Sequence, residues 1–220
     1  RWPGCVRGGD GLFREQLAGR RIRKVSRRAK LILVNLEPDL VMAVHLKMTG
    51  RLYVPDPGIP ADKHTHAVFA LERGEEAFPL HYMDTRKFGY LALFSLPELT
   101  SWPFYSGLGP EPLDMTADAF VALFKGRRGR IKSLLLDQRF IAGIGNIYAD
   151  ESLYRAGIRP DASVARISCK RLTALFASLH GVLNEAIADC GSSINDYRDA
   201  RGNAGAFQNK FRVYGRAGKP

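Results

Sequence analysis

A chain of 220 residues with 45% apolar side chains can bury one large core or two small ones, and no apolar run approaches the eighteen or so residues that a membrane span needs. Its three cysteines, Cys5, Cys169 and Cys190, lie far apart without metal-type spacing, which argues against a disulfide framework and for a reducing, cytoplasmic setting. Thirty-three Lys and Arg against twenty-two Asp and Glu give a net charge of +11 and a pI near 9.8, the electrostatic footprint of a polyanion binder.

Residues 1–100 read as a mainly β unit, an antiparallel sandwich. After a helical "LFREQLAG" closed by Gly19 comes a basic cluster, Arg20, Arg21, Arg23, Lys24, Arg27, Arg28 and Lys30. Alone, such a cluster is as well explained by a solvated face. Short runs follow: "LILVNL" (Leu31–Leu36), "LVMAVHLKM" (Leu40–Met48), "RLYV", "HAVFAL" and "FGYLALF", separated by Gly, Pro and Asp. In the second run the alternation puts Val44, Leu46 and Met48 on one face and His45, Lys47 and Thr49 on the other, which predicts a half-buried strand.

The Pro- and Gly-rich passage from Ser95 to Met115 reads as a linker, with residues 101–115 as its core. From Thr116 the period turns helical, so residues 116–220 read as a helical unit. Thr116 can cap "ADAFVALFK", and a second basic cluster follows, Lys125, Arg127, Arg128, Arg130 and Lys132. Ser168 can cap a long helix in which Leu172, Phe176, Leu179, Leu183, Ile187 and Cys190 recur at three- and four-residue steps before Gly191.

Between these helices lies "AGIGN", with Gly143, Gly145 and Asn146 immediately before a run whose Ala149, Leu153 and Ala156 keep helical spacing. Backbone N–H groups at a helix N-terminus point outward, and the helix dipole favours negative charge, so a phosphate can be held there without a cationic side chain. The same residues also suit a tight helix connection in which Asn146 caps the helix, and Asp150 and Glu151 would fit that reading.

The stretch "RIKSLLLDQRFIAGIGNIYADESLYRAGIRP" (Arg130–Pro160) resembles the helix-two-turn-helix signature of the formamidopyrimidine-DNA glycosylase and endonuclease VIII family, and its details lean to the formamidopyrimidine branch. Further matches run in the family's order: "RWP", "SRRAKLILVNL", "HLKMTGRL", "KHTH", "DTRKFGYL", "LGPEPL" and "FRVYGRAGKP". The resemblance implies an α+β fold, an antiparallel β-sandwich followed by a helix-two-turn-helix domain, with duplex DNA running across the groove between them. It also implies excision of oxidised purines, notably 8-oxoguanine and formamidopyrimidines, by base flipping, then cleavage of the abasic strand by β,δ-elimination.

Residue by residue, the resemblance makes Met48, Arg86 and Phe88 the groups that fill the space left by the flipped base. It makes Lys30 a catalytic lysine that donates a proton in the elimination, with Arg27 and Arg28 as neighbours able to depress its pKa. His64, Arg128 and Asn146 become phosphate contacts, with Gly143 and Gly145 letting the backbone approach the strand. The polar stretch Asp196–Phe211 becomes the loop over the extruded base, with Tyr197 as its aromatic. Core packing remains the other reading of Met48 and Phe88, a surface lysine that of Lys30, and a turn histidine that of His64.

Two departures from the family pattern stand out. Family members open with a proline amine that attacks the sugar and a glutamate that protonates it, whereas this chain opens with Arg1 at a point matching the interior "RWP". The family continues past "VYGRAGKP" into a four-cysteine zinc finger, so zinc is the cofactor the resemblance implies, yet none of the cysteines here lies in C-x-x-C spacing. The expectation is that these residues are part of a longer monomeric enzyme. The alternatives are a catalytically incomplete module that binds damaged DNA, and a basic protein for structured RNA.

Overall fold

The computed structural model describes residues 3–193, 202–216 and 218. The chain divides into two compact units, Arg1–Tyr105 with Ser193–Gly205, and Ser106–Ser192 with Ala206–Pro220. Among the described residues no helix is long and apolar enough to cross a membrane.

The first unit begins with β1 (Val6–Arg7) and α1 (Asp10–Leu17), then β2 (Ile22–Arg28), β3 (Leu31–Leu36), β4 (Leu40–His45), β5 (Gly50–Tyr53), β6 (Thr65–Arg73), β7 (Glu76–Asp84) and β8 (Tyr90–Ser95). The strands form a five-stranded sheet ordered β1-β8-β4-β3-β2 and a three-stranded sheet ordered β5-β7-β6. All pairs are antiparallel except β1–β8, which is parallel, so the expected antiparallel sandwich is mixed at one edge. There the intervening chain includes every other strand, which gives β1 a long path back to β8.

Strand β4 is buried from Val41 to His45, on both faces, where alternation predicted a half-buried strand. Met42 and Val44 pack with Val34, Leu36, Leu91, Tyr82 and Phe13 into one core. Val41 and Ala43 pack with Leu31, Leu33 and Leu99 on the other side, beneath Phe94, Trp102, Phe104 and Tyr105. Of the aromatics that cover this second face, Trp102, Phe104 and Tyr105 come from the passage read as a linker. It is built as α2 (Leu96–Ser101) and α3 (Pro103–Ser106), and Leu99 is buried. The start of α2 is a capping box: Ser95 Oγ accepts the Glu98 N–H, and the Glu98 carboxylate accepts the Ser95 N–H. That S-x-x-E signal stands in the sequence, masked by its proline.

The second unit holds α4 (Ala117–Leu123), α5 (Ile131–Leu136), α6 (Asn146–Arg155) and α7 (Cys169–Ala188). Thr116 caps α4 through the Ala119 N–H (3.2 Å), and Ser168 caps α7 through the Arg171 N–H (3.4 Å), as their positions predicted. Phe120, Phe124, Ile131, Leu135, Ile141, Ile144, Leu153, Leu175 and Leu179 make the core. The buried stripe of α7 is Leu172, Leu175, Leu179, Val182 and Ala186, rotated from the predicted one, and Ile187 is 63% exposed. Helix α7 is apolar around much of its circumference, so spacing alone admits two stripes, and packing against α4 and α6 selects one.

Candidate nucleic-acid interface

In the first unit, the sequence-predicted residues sit on turns at strand ends. Lys30 follows Ala29 (φ 51°) in the tight β2–β3 turn. The register that sets Leu31 opposite His45 brings Lys30 near the end of β4, where Lys47 follows. Partial burial of the ammonium, with the charge of Lys47 adding, lowers the Lys30 pKa from its ordinary value. The depressing neighbour is therefore Lys47, across the sheet, and not the expected Arg27 or Arg28. The Arg27 guanidinium is instead turned back onto the Ala29 carbonyl (2.8 Å).

His45, read from the alternation as a polar-face residue, is buried. Its Nδ1 accepts the Lys47 backbone N–H at 3.0 Å, which places the ring proton of the neutral imidazole on Nε2. Burial, then Lys47, Lys30 and Arg7, push the His45 pKa down to about 4. The Arg7 guanidinium lies 3.5 Å from the centroid of the Tyr90 ring, itself beside His45. Lys30, His45, Lys47 and Arg7 thus form a cationic and donor-rich patch that no local motif announced, because strand pairing assembles it.

Met48 and Phe88 are 69% and 60% exposed, so core packing does not explain them. Strand β4 ends at His45, and Lys47, at φ 53°, breaks the alternation that had placed Met48 on a strand face. The Arg86 Nη1 lies 3.7 Å from the Met48 sulfur, so the tips carrying Met48 and Arg86 meet. In the segment before β6, the His64 N–H donates to Asp62 Oδ1 (2.7 Å) and the His64 carbonyl accepts from the Asp84 N–H (3.1 Å), leaving the half-exposed imidazole at the surface of the turn.

In the second unit, Asn146 is exposed at the first position of α6, with Gly145 as N-cap, so Asn146 adds an amide beside the helix N-terminus rather than capping it. Gly143, at φ 86°, takes a conformation that side chains disfavour, whereas Gly145, at φ −111°, does not. The turn is held from inside by a residue sequence reasoning passed over. Gln138 donates to the carbonyls of Leu136 and Ile144 (both 3.0 Å) and accepts the Gly143 N–H (2.9 Å).

The acidic pair next to this turn is already engaged. Asp150 pairs with Lys132 at 2.7 Å, and Glu151 is fully buried beneath backbone amides near the C-terminus. Lys132 therefore leaves the predicted basic cluster, while Lys125, Arg127, Arg128 and Arg130 are exposed, with Arg128 between Gly126 (φ 71°) and Gly129 (φ 109°).

Tyr197 lies outside the described residues. In the described part of its predicted loop, Phe207 is fully buried against Val182 and Ala186, and its N–H donates to the Gly191 carbonyl (3.0 Å). Among the described residues, the cysteines do not fit a zinc site. Cys5 is buried in an apolar core, and Cys169 and Cys190 stand at opposite ends of α7, roughly 30 Å apart at 1.5 Å per residue. Among the described residues no group of three His, Cys, Asp or Glu side chains is arranged to hold a metal.

Comparison with known proteins agrees with this layout. The formamidopyrimidine-DNA glycosylase N-terminal domain model matches residues 2–91, and the formamidopyrimidine-DNA glycosylase H2TH domain model matches residues 108–198. A formamidopyrimidine-DNA glycosylase of Nitratidesulfovibrio vulgaris is 58% identical over 82% of the chain, which spans 49% of that relative's length. One from Moorella thermoacetica is 44% identical over 99% of the chain and 80% of its own length. The Lactococcus lactis Fpg bound to DNA with an abasic site superposes with a TM-score of 0.88 at 32% identity, covering 99% of this chain and 79% of that one. Identity and coverage of this order show that the chain belongs to the formamidopyrimidine-DNA glycosylase family.

Proposed function

We propose that the whole protein is a base-excision repair glycosylase that flips oxidised purines, 8-oxoguanine and formamidopyrimidines, out of duplex DNA, and that it then cleaves the abasic strand by β,δ-elimination. The observation that carries this reading is the exposure of Met48 and Phe88 at 69% and 60% on turns that also present Arg86. Extruding a base costs a few kcal/mol of stacking and pairing, which groups inserted into the vacated space offset. A flexible thioether fills the void, a guanidinium pairs with the orphaned base, and a flat ring wedges a base step.

In this reading the remaining residues hold the strand. His64, Arg128 and Asn146, with the backbone around Gly143 and Gly145, take phosphates. Lys30 moves the proton of the elimination. Partial burial and the Lys47 charge favour its neutral form relative to an ordinary lysine, the direction that suits a proton carrier. Lactococcus complexes with an abasic site or a formamidopyrimidine deoxyguanosine support the same substrate class. The protein acts as a monomer on chromosomal DNA in the cytoplasm.

The test is incubation of the whole protein, purified, with a duplex carrying one 8-oxoguanine. A strand break at the lesion and a covalent adduct trapped by borohydride are expected, with neither on undamaged duplex. Tight, salt-sensitive binding without either product would end the enzymatic reading and leave a damaged-DNA-binding module. A preference for duplex RNA would end both.

A further inference from the structure

Asp84 closes β7 and is fully buried, an expensive place for a carboxylate unless hydrogen bonds compensate it. Its carboxylate is held by groups of the two turns that carry Met48, Arg86 and Phe88. Oδ1 accepts the Thr49 hydroxyl at 2.5 Å and the Arg86 N–H at 3.2 Å, and Oδ2 accepts the Gly89 N–H at 2.7 Å. Thr49 Oγ1 in turn accepts the Arg86 N–H at 3.1 Å. The Asp84 main chain is fixed as well, its N–H on the His64 carbonyl (3.1 Å) and its carbonyl against His66 Nε2 (2.8 Å).

The turns themselves leave little freedom. A side chain at Gly50 would come within 2.9 Å of the Leu46 Cα, and one at Gly89 would meet the Tyr82 hydroxyl and come within 2.8 Å of the His45 carbonyl. Each turn also forces one lysine into the left-handed region, Lys47 at φ 53° and Lys87 at φ 59°, directly before Met48 and Phe88. Non-glycine residues persist there when their surroundings over-determine them.

We infer that Asp84 and Thr49 are positioning residues for recognition of the damaged site: a carboxylate–hydroxyl clamp that joins the two turns and presents Met48, Arg86 and Phe88 as one preorganised head. The inference rests on the reading of those three residues as void fillers. Without the clamp, two turns and several rotamer-rich side chains would be ordered only on binding DNA, and that ordering opposes association. The clamp touches no DNA. It acts through the residues it holds.

The test uses Thr49→Val, which keeps the shape and removes the hydroxyl, Thr49→Ser, which restores it, and Met48→Ala. Two quantities are read: amide hydrogen exchange at Arg86 and Gly89 without DNA, and the ratio of affinities for a duplex with a tetrahydrofuran abasic analogue and for the undamaged duplex. Thr49→Val should speed the exchange and lower the affinity ratio by about three- to tenfold, the range a lost buried hydrogen bond gives. Thr49→Ser should restore both, and Thr49→Val should add nothing to Met48→Ala. Faster exchange with an unchanged ratio, while Met48→Ala lowers it, would overturn the clamp and leave the void-filling reading standing. Unchanged exchange, or equal loss of affinity for both duplexes, would also overturn the clamp. A ratio that Met48→Ala does not move would overturn the void-filling reading, and the clamp's role with it.

Discussion

The carboxylate of Glu151, on α6, accepts the backbone N–H of Tyr214 at 2.9 Å, and those of Arg212 (2.8 Å) and Val213 (3.1 Å) beside it. One fully buried side chain thereby fixes three consecutive amides of the segment that follows Phe211. Glu151→Gln keeps the shape but replaces one accepting oxygen by an NH2 group that faces donors. It should cost about 1–3 kcal/mol of stability, the range for leaving buried donors unmatched. Urea unfolding measures that loss, and hydrogen exchange should locate it at residues 212–214. A variant as stable as the parent would show that the amides find other acceptors.

Gln138 does for the glycine turn what Glu151 does for the C-terminal segment. Its three hydrogen bonds span Leu136, Gly143 and Ile144, so Gln138→Ala removes three hydrogen bonds from a half-buried place. A loss of roughly 1–3 kcal/mol in unfolding free energy is expected. Binding of every duplex should weaken with it, because Asn146 is presented by this turn. Titration of labelled duplexes, damaged and undamaged, checks the second half. Unaltered affinity would mean that α6 alone positions Asn146.

Much of this fold is legible in the sequence, and the gaps have local causes. Strand β3 falls where the run Leu31–Leu36 predicts it. Strand β2 hides because its Arg and Lys residues occupy both faces of an exposed edge. Strand β7 hides because it contains Pro79, which usually excludes a central strand. β5 pairs with His81–Asp84, so at Pro79 the strand has its neighbour on one side, opposite Ala70, and is an edge, where proline is tolerated. The predicted site residues were found by motif. Those that act on them from a distance in the sequence, Lys47 on Lys30 and Thr49 and Asp84 on Arg86, are brought near by strand register and turn geometry that no single stretch encodes.

Arg128 and Asn146 are exposed residues of the second unit, and both are proposed to meet phosphates rather than bases. Their loss should therefore weaken binding to all duplexes alike. Arg128→Ala should also reduce the slope of log affinity against log salt by about 1, since one fewer cation displaces counterions. Asn146→Ala removes a neutral donor and should lower affinity while leaving that slope unchanged. Fluorescence anisotropy across a salt series measures both. A selective loss on damaged duplex alone would contradict the phosphate assignment.

His45 gives the first unit an acid-sensitive term of defined sign. Its folded pKa of about 4 lies below the unfolded value near 6.5, so the unfolded chain takes up the proton first as the pH falls. The contribution of the neutral, buried ring is complete above about pH 6.5. It is lost progressively down to about 4, below which no further loss comes from this group. After allowance for solvent screening of the neighbouring cations it amounts to roughly 1–2 kcal/mol. Urea unfolding at pH 7 and pH 5 should show the native protein weakening over that interval more than His45→Asn, which has no proton to gain. Removing the Lys47 charge, by Lys47→Gln, should move the His45 midpoint upward, read from its ring resonances by NMR. A midpoint that stays in place would assign the depression to burial and the remaining charges of Lys30 and Arg7.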